Sequence, residues 1–436
     1  MSNITLMKHQ EEVLESTKSK NRVAYYLDMG LGKTFVGSEK ALSLGKNILV
    51  VCQKSKVEDW VNHFIDNYTN TVVSDCTTKK GLTEFFRGIW YMEEGILNEF
   101  KIVVGVINYD LIWRRPELSQ LRDFTLILDE SSLIQNEATK RSKFILKSLF
   151  PSNVILLSGT CTNGKYERLW SQCRLLGWNI SKTEFYRRYC IEEPLIKWNG
   201  QPMKNCYGGI IKQVTGYKNV DELKEELRNH GAVFMKTEEV IDLPEQTFID
   251  ITVPETKDFI KFKKDKIVTV EDTTLVGDTN LTSLLYQRML SSQYNKNKLN
   301  SFEDLVNSTN DRLVVFYNFT EELNRLKELV GDRPISIING SNRDLTNYEN
   351  CDDCITFVQY QAGSMGINLQ KANKIIYFSP TQSCEMYMQS LKRVHRIGQK
   401  NTCFYYLMKS GIDYHIYDAI QRGVDYTERL FAKTFS

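Results

Sequence analysis

Apolar residues in this chain gather into short, nearly unbroken runs separated by stretches with helical spacing. Val23–Leu27, Ile48–Cys52, Ile102–Ile107, Leu126–Leu128 and Val154–Leu157 read as strands buried on both faces, because a parallel sheet covered by helices leaves no polar face to alternate. A second series repeats the pattern at Phe248–Val253, Leu313–Tyr317, Ile335–Ile338, Ile355–Val358, Ile375–Phe378 and Phe404–Met408. Strand-helix alternation met twice predicts an α/β chain of two parallel-sheet lobes in tandem. Between the series, the polar, helix-prone Asp221–His230 leads to Leu243-Pro244, where proline stops any continuing helix. That places the hinge near 236–245 and the lobes at 1–240 and 241–436. An insertion at about 191–220 contains the glycine-punctuated Trp198–Lys218, which reads as a hairpin beside the first lobe. Lys257–Asp278, charged and then rich in Thr and Asp, reads as a solvated helix and loop. The two halves are alike in pattern and not in residues, so no short internal repeat is present.

Composition narrows the classes. The chain is 42% hydrophobic and 25% charged, with 56 basic against 54 acidic residues. A net charge of +2 leaves no broadly basic coat, so any nucleic-acid binding must come from a local groove. The ten cysteines include one close pair, Cys351 and Cys354, with no second pair or nearby histidines to complete a zinc site. They read as reduced structural thiols of a cytosolic compartment. No apolar run approaches the ~20 residues that span a bilayer, and Met1–Gln10 lacks the apolar centre of a signal peptide. The expectation is therefore a cytoplasmic protein of a microbe or virus-infected cell, or a nuclear one in a eukaryote, with no membrane partner.

Chemistry enters at the ends of the apolar runs. Met29-Gly30-Leu31-Gly32-Lys33-Thr34 follows a strand and opens a helix. In that order loop N–H groups and the helix N-terminus point at phosphates, Lys33 adds charge, and the Thr34 hydroxyl can ligate magnesium. The usual pattern has glycine where Leu27 stands, and a Gly-Lys-Thr alone arises by chance. Asp129 and Glu130 end the run Leu126–Leu128, at the strand end where open α/β sheets bind ligands. Asp129 suits a magnesium ion held through water and Glu130 a general base; a bare acidic turn is the alternative. Ser158 and Thr160 end the next run and are placed to sense a γ-phosphate. In the second lobe, Gly363 and Gly366 make a glycine turn that lets backbone approach a ligand or the other lobe, and Asn368 supplies a short amide. Gln389, Arg393 and Arg396 fall at i, i+4 and i+7, one face of a helix. That face is either a solvated basic stripe or a set of arginines for a phosphate, with an effect on the order of 10³ to 10⁵ in rate.

The ordered set LMKHQ, DMGLGKT, DESS, LSGT, GSMGINL and QSLKRVHRIGQ resembles the superfamily 2 helicase-type ATPases, and the ending RVHRIGQ resembles the Swi/Snf family in particular. The resemblance covers nearly the whole chain. It implies two RecA-like lobes with ATP and Mg2+ in a cleft between them, and double-stranded DNA tracked without ordinary strand separation. On that resemblance Gln10 recognises adenine, Met29–Thr34 hold phosphate, and Thr34 and Asp129 hold metal. Lys33, Asp129 and Glu130 serve hydrolysis, Gly366, Asn368 and Gln389 complete the nucleotide site, and Arg393 and Arg396 are the fingers. The segments matching the family's phosphate track are Gln53–Lys56, with Lys54 and Ser55; Asn108-Tyr109; Asn339–Ser341, with Gly340 and Ser341; and Gln359–Gly363, with Gln361 and Gly363.

FYRRYC at Phe185–Cys190, followed by the insert and MKTEEVIDLPEQ, is similar to a compact branch that includes annealing helicases. Departures are also plain. Ser131 and Ser132 stand where a histidine is usual, Cys161 replaces a proline, and a Trp-Asn-Pro is absent near Gln382 and Cys384. No chromodomain, bromodomain or zinc module is recognisable, so the expectation is a monomeric bare motor on duplex or forked DNA, its recruiting protein unknown. The competing classes are a strand-separating DNA or RNA helicase, and a nucleic-acid-binding module with a decayed ATPase.

Overall fold

All but one of the apolar runs become inner strands of two seven-stranded sheets, and the exception, Phe248–Val253, lies on a half-exposed edge strand. The computed structural model describes residues 4–96, 102–159, 165–196, 201–240, 242–363 and 367–435. Its contacts divide the chain into two units, Met1–Val240 and Ile241–Ser436.

The first unit contains β1 (Arg22–Leu27), β2 (Asn47–Cys52), β3 (Thr71–Asp75), β4 (Ile102–Asn108), β5 (Phe124–Asp129), β6 (Asn153–Ser158), β7 (Cys190–Pro194), β8 (Lys212–Tyr217) and β9 (Ala232–Met235). Its main sheet runs β3-β4-β2-β5-β6-β1-β9, parallel throughout. Every residue of β4 and β6 is buried, as a strand with helices over both faces requires. Helices α1 (Lys8–Ser16), α2 (Lys33–Ser43), α3 (Val57–Asn67) and α4 (Lys79–Glu93) belong to this unit. The sequence reading lacks β3 and β9. Both are edge strands, paired on one side only, and Thr71–Asp75 is too polar to stand out as an apolar run.

The insertion is a hairpin, β7 against β8, antiparallel with an irregular register at Ile191/Glu192. Bridges Ile196–Pro202 and Lys204–Ile210 carry the pairing outward. Trp198–Gly200 lie outside the described residues.

The second unit contains β10 (Gln246–Thr252), β11 (Ile267–Val270), β12 (Thr273–Val276), β13 (Leu313–Tyr317), β14 (Ile335–Ile338), β15 (Arg343–Asp344), β16 (Ile355–Gln359), β17 (Lys374–Tyr377) and β18 (Cys403–Lys409). The sheet order is β10-β18-β17-β13-β16-β14-β15, with only the short β14–β15 pair antiparallel. Lys298 and Asp413 form a fully buried ion pair at 2.6 Å beneath this sheet's helices.

Lys257–Asp278 differs from the expected solvated loop. Helix Lys257–Asp265 packs on the β11–β12 hairpin, and Phe259, Phe262, Val268, Val270, Leu275 and Leu290 form a small core of their own. Thr269 and Thr274 face outward together with Ile267 and Val276, and Thr273 takes an inward position opposite Val270, so apolar and polar residues fall on both faces and mask the period-two pattern.

Candidate functional site

In the first unit three neighbouring strands end together. Because β5, β6 and β1 are adjacent and parallel, the loop after β1, the Asp129-Glu130 pair and Ser158-Gly159 share one edge of the sheet. A Cβ added at Gly159 would lie 3.4 Å from both Lys33 Nζ and the Met29 side chain. Thr160 and Cys161 lie outside the described residues.

The loop's shape depends on glycine. Gly30 and Gly32 have φ of 94° and 75°, in the left-handed region that costs an L-residue roughly 1–2 kcal/mol. Gly32 also admits a close neighbour, since a Cβ there would sit 2.1 Å from Gln10 Nε2. Gln10 is buried on the loop: Nε2 donates to the Leu31 carbonyl at 3.1 Å, and Oε1 accepts from the Met7 N–H at 3.0 Å. Lys33, the first residue of α2, donates to the Leu27 and Asp28 carbonyls at 2.9 and 3.3 Å. Lys40, one side of α2, is buried with its ammonium on the Thr17 and Lys18 carbonyls that end α1. The helix carrying Gln10 and the helix opening at Lys33 are thereby fastened to each other.

Asp129 ends β5. Its Oδ2 accepts from the Trp60 indole N–H at 2.9 Å, and the Tyr109 hydroxyl donates to its carbonyl at 2.9 Å. Burial pushes the Asp129 carboxyl above the ordinary carboxylate range, and the Trp60 N–H with the Lys33 and Lys56 cations pull it back. Glu130 follows with φ 51°, a left-handed non-glycine residue at the point where the strand turns into the 3-10 turn Ser131–Ile134. Such strain is of order 1–3 kcal/mol and tends to sit where a side chain must be aimed. Ser131, the first of the two serines after Asp129-Glu130, is fully buried and donates to Gln172 Oε1 at 2.9 Å, an oxygen that also accepts from Tyr26.

Trp60, Lys40, Gln172 and the anchoring of Asp28 escape sequence reasoning. Asp28 Oδ2 accepts from the Thr237 N–H at 3.1 Å, tying the loop to the segment after β9. No short-range signal announces these partners. Trp60 alone has a hint: it is the one aromatic in the first turn of an amphipathic helix leaving β2.

The expected DNA residues of this unit separate into outward and inward groups. Lys54 is exposed on the 3-10 turn Lys54–Lys56 after β2, with Ser55 half-buried beside it. Asn108 is buried at the end of β4, its Oδ1 without a partner among the described residues, on a cleft of about 720 Å³ that Lys54, Asp75 and Thr77 also line. Tyr109 corrects the sequence reading. Its side chain is buried and braces Asp129, so only its backbone is left to face a nucleic acid.

In the second unit the last motif is not one helix. Helix Cys384–Leu391 stops before Arg393, and residues 392–398 run as successive turns ending at Gly398, φ 95°. Gln389, Arg393 and Arg396 therefore share no helical face. The chain leaves the helix because it is captured by the segment after Gly366: the Leu369 N–H donates to the Arg393 carbonyl at 3.0 Å, Arg396 donates to Asn368 Oδ1, and Gln399 Nε2 donates to the Gln370 and Ala372 carbonyls at 3.1 and 2.8 Å. Asn368, Arg393 and Arg396 are brought together; Gln389 is not, its amide turning to Glu385 at 3.3 Å. Arg393 is 1% exposed, which removes the solvated-stripe alternative for it. Burial lowers the Arg396 pKa from its ordinary value. Gly366 lies outside the described residues, and Gly363 ends the short helix Tyr360–Gly363 that carries the exposed Gln361. Gly340 and Ser341 are on an open turn after β14, closed by Asn339 Oδ1 accepting from the Ser341 and Asn342 N–H groups.

Among the described residues no three His, Cys, Asp or Glu side chains cluster to hold a metal, and no helix is long and apolar enough to cross a membrane.

The family model described as SNF2-related domain matches residues 1–300, and that described as helicase conserved C-terminal domain matches residues 297–398. The chain is 22% identical to the SWI/SNF-related matrix-associated actin-dependent regulator of chromatin subfamily A-like protein 1 of Xenopus tropicalis, over 74% of this chain and 35% of that protein. It is 25% identical to the putative ATP-dependent helicase/translocase YwqA of Bacillus subtilis, over 65% of this chain and 33% of that protein. The chain thus spans about a third of the length of these relatives. A Sulfolobus solfataricus SWI2/SNF2 ATPase core, solved in complex with double-stranded DNA, aligns over 99% of this chain and 93% of that one at 17% identity and a TM-score of 0.43.

Proposed function

The chain belongs to the SNF2-related domain family, and from that premise we propose that it is an ATP-driven motor that moves on double-stranded DNA without separating its strands. Its two parallel sheets are the tandem RecA-like lobes of that family, and membership implies ATP binding and hydrolysis.

The observation that carries the reading is the meeting of the Lys33 loop, Asp129-Glu130 and Gly159 at one sheet edge, with Gln10 seated on the loop. Here Lys33 would exchange the Leu27 and Asp28 carbonyls for the outer phosphates. Thr34 and Asp129 would hold magnesium, which supplies charge neutralisation at the phosphates. One carboxylate and one hydroxyl fit a hard cation that keeps most of its waters, and the donor set does not suit zinc. Glu130 would take the proton of the attacking water. Arg393 and Arg396, locked to the Asn368 segment, would stabilise charge on the transferring phosphoryl group.

For DNA, the support is the exposed Lys54 turn, the Asn108 cleft, the open Gly340-Ser341 turn and Gln361, all at loops that follow strands. Contacts of this kind grip phosphates and carry little sequence information. The test is ATP turnover by the full chain with duplex DNA, single-stranded DNA, forked DNA and RNA as stimulants. Duplex-containing DNA should stimulate most, with binding that weakens steeply as salt rises. Stimulation by RNA alone would overturn the assignment.

A further inference from the structure

Among the described residues two hairpins stand outside the main sheets, and they differ in what they bury. β11–β12 packs its inward residues on its own small core. In β7–β8 only Cys190 of the strand residues is buried, and beyond the strands Ile196, Lys204 and Ile210 are exposed. A two-stranded ribbon with so little core is marginal on its own.

Its tip is nonetheless tightly organised. Asn205 Oδ1 accepts from the N–H groups of Tyr207 and Gly209 at 3.0 and 2.9 Å, the Asn205 N–H donates to the Gly209 carbonyl at 2.8 Å, and the Gly208 N–H donates to the Asn205 carbonyl at 3.0 Å. Gly208 supplies the required φ of 80°. That turn holds the Tyr207 ring in solvent, 93% exposed, with Ile191, Ile196 and Ile210 exposed along the same hairpin. Isolated apolar residues on a surface need no explanation, but four on one ribbon do. The charge is mixed at the base, where Glu192 and Glu193 are exposed on β7, and one-sided toward the tip: from Gln201 to Lys218 the chain has three lysines and no aspartate or glutamate. An ordered turn offering a flat ring among cations matches a polyanion with flat faces. In a duplex the base faces are covered by stacking, so the faces available to a ring belong to unpaired bases.

We propose that the turn of this hairpin, Lys204–Lys212, is a second nucleic-acid contact, in which Tyr207 stacks on an unpaired base and Lys204 and Lys212 hold adjacent phosphates of a single-stranded arm. The proposal rests on the DNA reading above and adds to it a preference for junctions.

The experiment compares full-length wild type, Tyr207→Ala, Tyr207→Trp and the double variant Lys204→Glu/Lys212→Glu by fluorescence anisotropy. The probes are a blunt duplex and a fork of equal duplex length with unpaired arms. Wild type should favour the fork. Tyr207→Ala should lose that preference by roughly 5- to 100-fold with blunt-duplex binding and duplex-stimulated ATP turnover unchanged, and Tyr207→Trp should keep it. The lysine variant should lose fork binding with a shallower salt dependence. An environment-sensitive dye on Cys206, an exposed cysteine beside Tyr207, should respond to the fork and not to the duplex. Fork binding by Tyr207→Ala equal to wild type would overturn the proposal while leaving the motor reading intact. Self-association of wild type that Tyr207→Ala abolishes, with fork binding unaltered, would assign the ribbon to a second copy and overturn it as well. Failure of wild type to bind any DNA would overturn the motor reading itself.

Discussion

The Trp60 indole N–H donates to Asp129 Oδ2 across 2.9 Å, joining helix α3 to the carboxylate at the end of β5. Asp129 is half-buried, so this bond does two things: it satisfies an acceptor largely withdrawn from water, and it fixes which way the carboxylate turns. Leaving such an acceptor unpaired costs about 1–3 kcal/mol.

Trp60→Phe keeps the ring and removes the donor. If Asp129 holds magnesium, the variant should need several-fold more Mg2+ to half-saturate ATP turnover, and should melt a few degrees lower. Titrating Mg2+ at saturating ATP separates the two effects. An unchanged Mg2+ requirement together with a lowered melting temperature would make Trp60 a packing residue only.

Lys33 and Glu130 should separate binding from turnover. Lys33→Ala removes the charge at the phosphates and should abolish productive ATP binding. Glu130→Gln keeps the shape of the strained turn and should bind ATP nearly as wild type while turnover stops. Equal loss of nucleotide affinity in both, measured with a fluorescent analogue, would sink these assignments.

How much of this was legible follows from which residues interact at short range. Strands buried on both faces announced themselves, because continuous apolar runs need no knowledge of partners. Edge strands β3 and β9 did not, since Thr71–Asp75 is polar and Ala232–Met235 is short, whereas edge strand β10 was found because Phe248, Ile249 and Ile251 keep it apolar. Lys33 and Asp129 were found by motif. The groups that position them were not, as Trp60, Thr237 and Gln172 meet Asp129, Asp28 and Ser131 across 69, 209 and 41 residues of chain. The i, i+4, i+7 spacing of Gln389, Arg393 and Arg396 misled because tertiary bonds from the Leu369 segment outweigh the helix there.

His63 gives a pH dependence with a definite sign. Burial lowers its pKa to about 4, against a partial upward pull from Asp66, and its Nε2 lies 3.0 Å from Ser38 Oγ. The unfolded chain, with an ordinary histidine near 6.5, binds the extra proton first. The stability that His63 contributes is therefore complete above about pH 6.5 and is lost as pH falls toward 4. Thermal melts of wild type between pH 7.5 and 4.5 should fall faster than those of His63→Gln. Parallel curves would show that His63 is protonated equally in both states.

Arg396 and Asn368 should behave as a unit, because the guanidinium donates to the amide oxygen. Arg396→Ala should retain DNA binding and weak ATP binding but lose DNA-stimulated hydrolysis. Asn368→Ala should lose less, since the arginine remains but is no longer aimed. The double variant should match Arg396→Ala, a non-additivity that a double-mutant cycle on turnover measures. Full stimulated turnover by Arg396→Ala would place the arginine outside the reaction.

Movement without strand separation is the sharpest consequence of the motor reading. The expected contacts, at Lys54-Ser55, the Tyr109 backbone, Gly340-Ser341 and Gln361, are turns and short helices suited to phosphates and not to base edges. A motor gripping phosphates in turn needs no unpaired base to advance, so it should push a third strand off a triplex in an ATP-dependent way. It should leave a plain duplex intact. Lys33→Ala should displace no third strand, which ties displacement to nucleotide binding. Efficient ATP-dependent separation of a tailed duplex, with no displacement from a triplex, would favour a strand-separating helicase and overturn this reading.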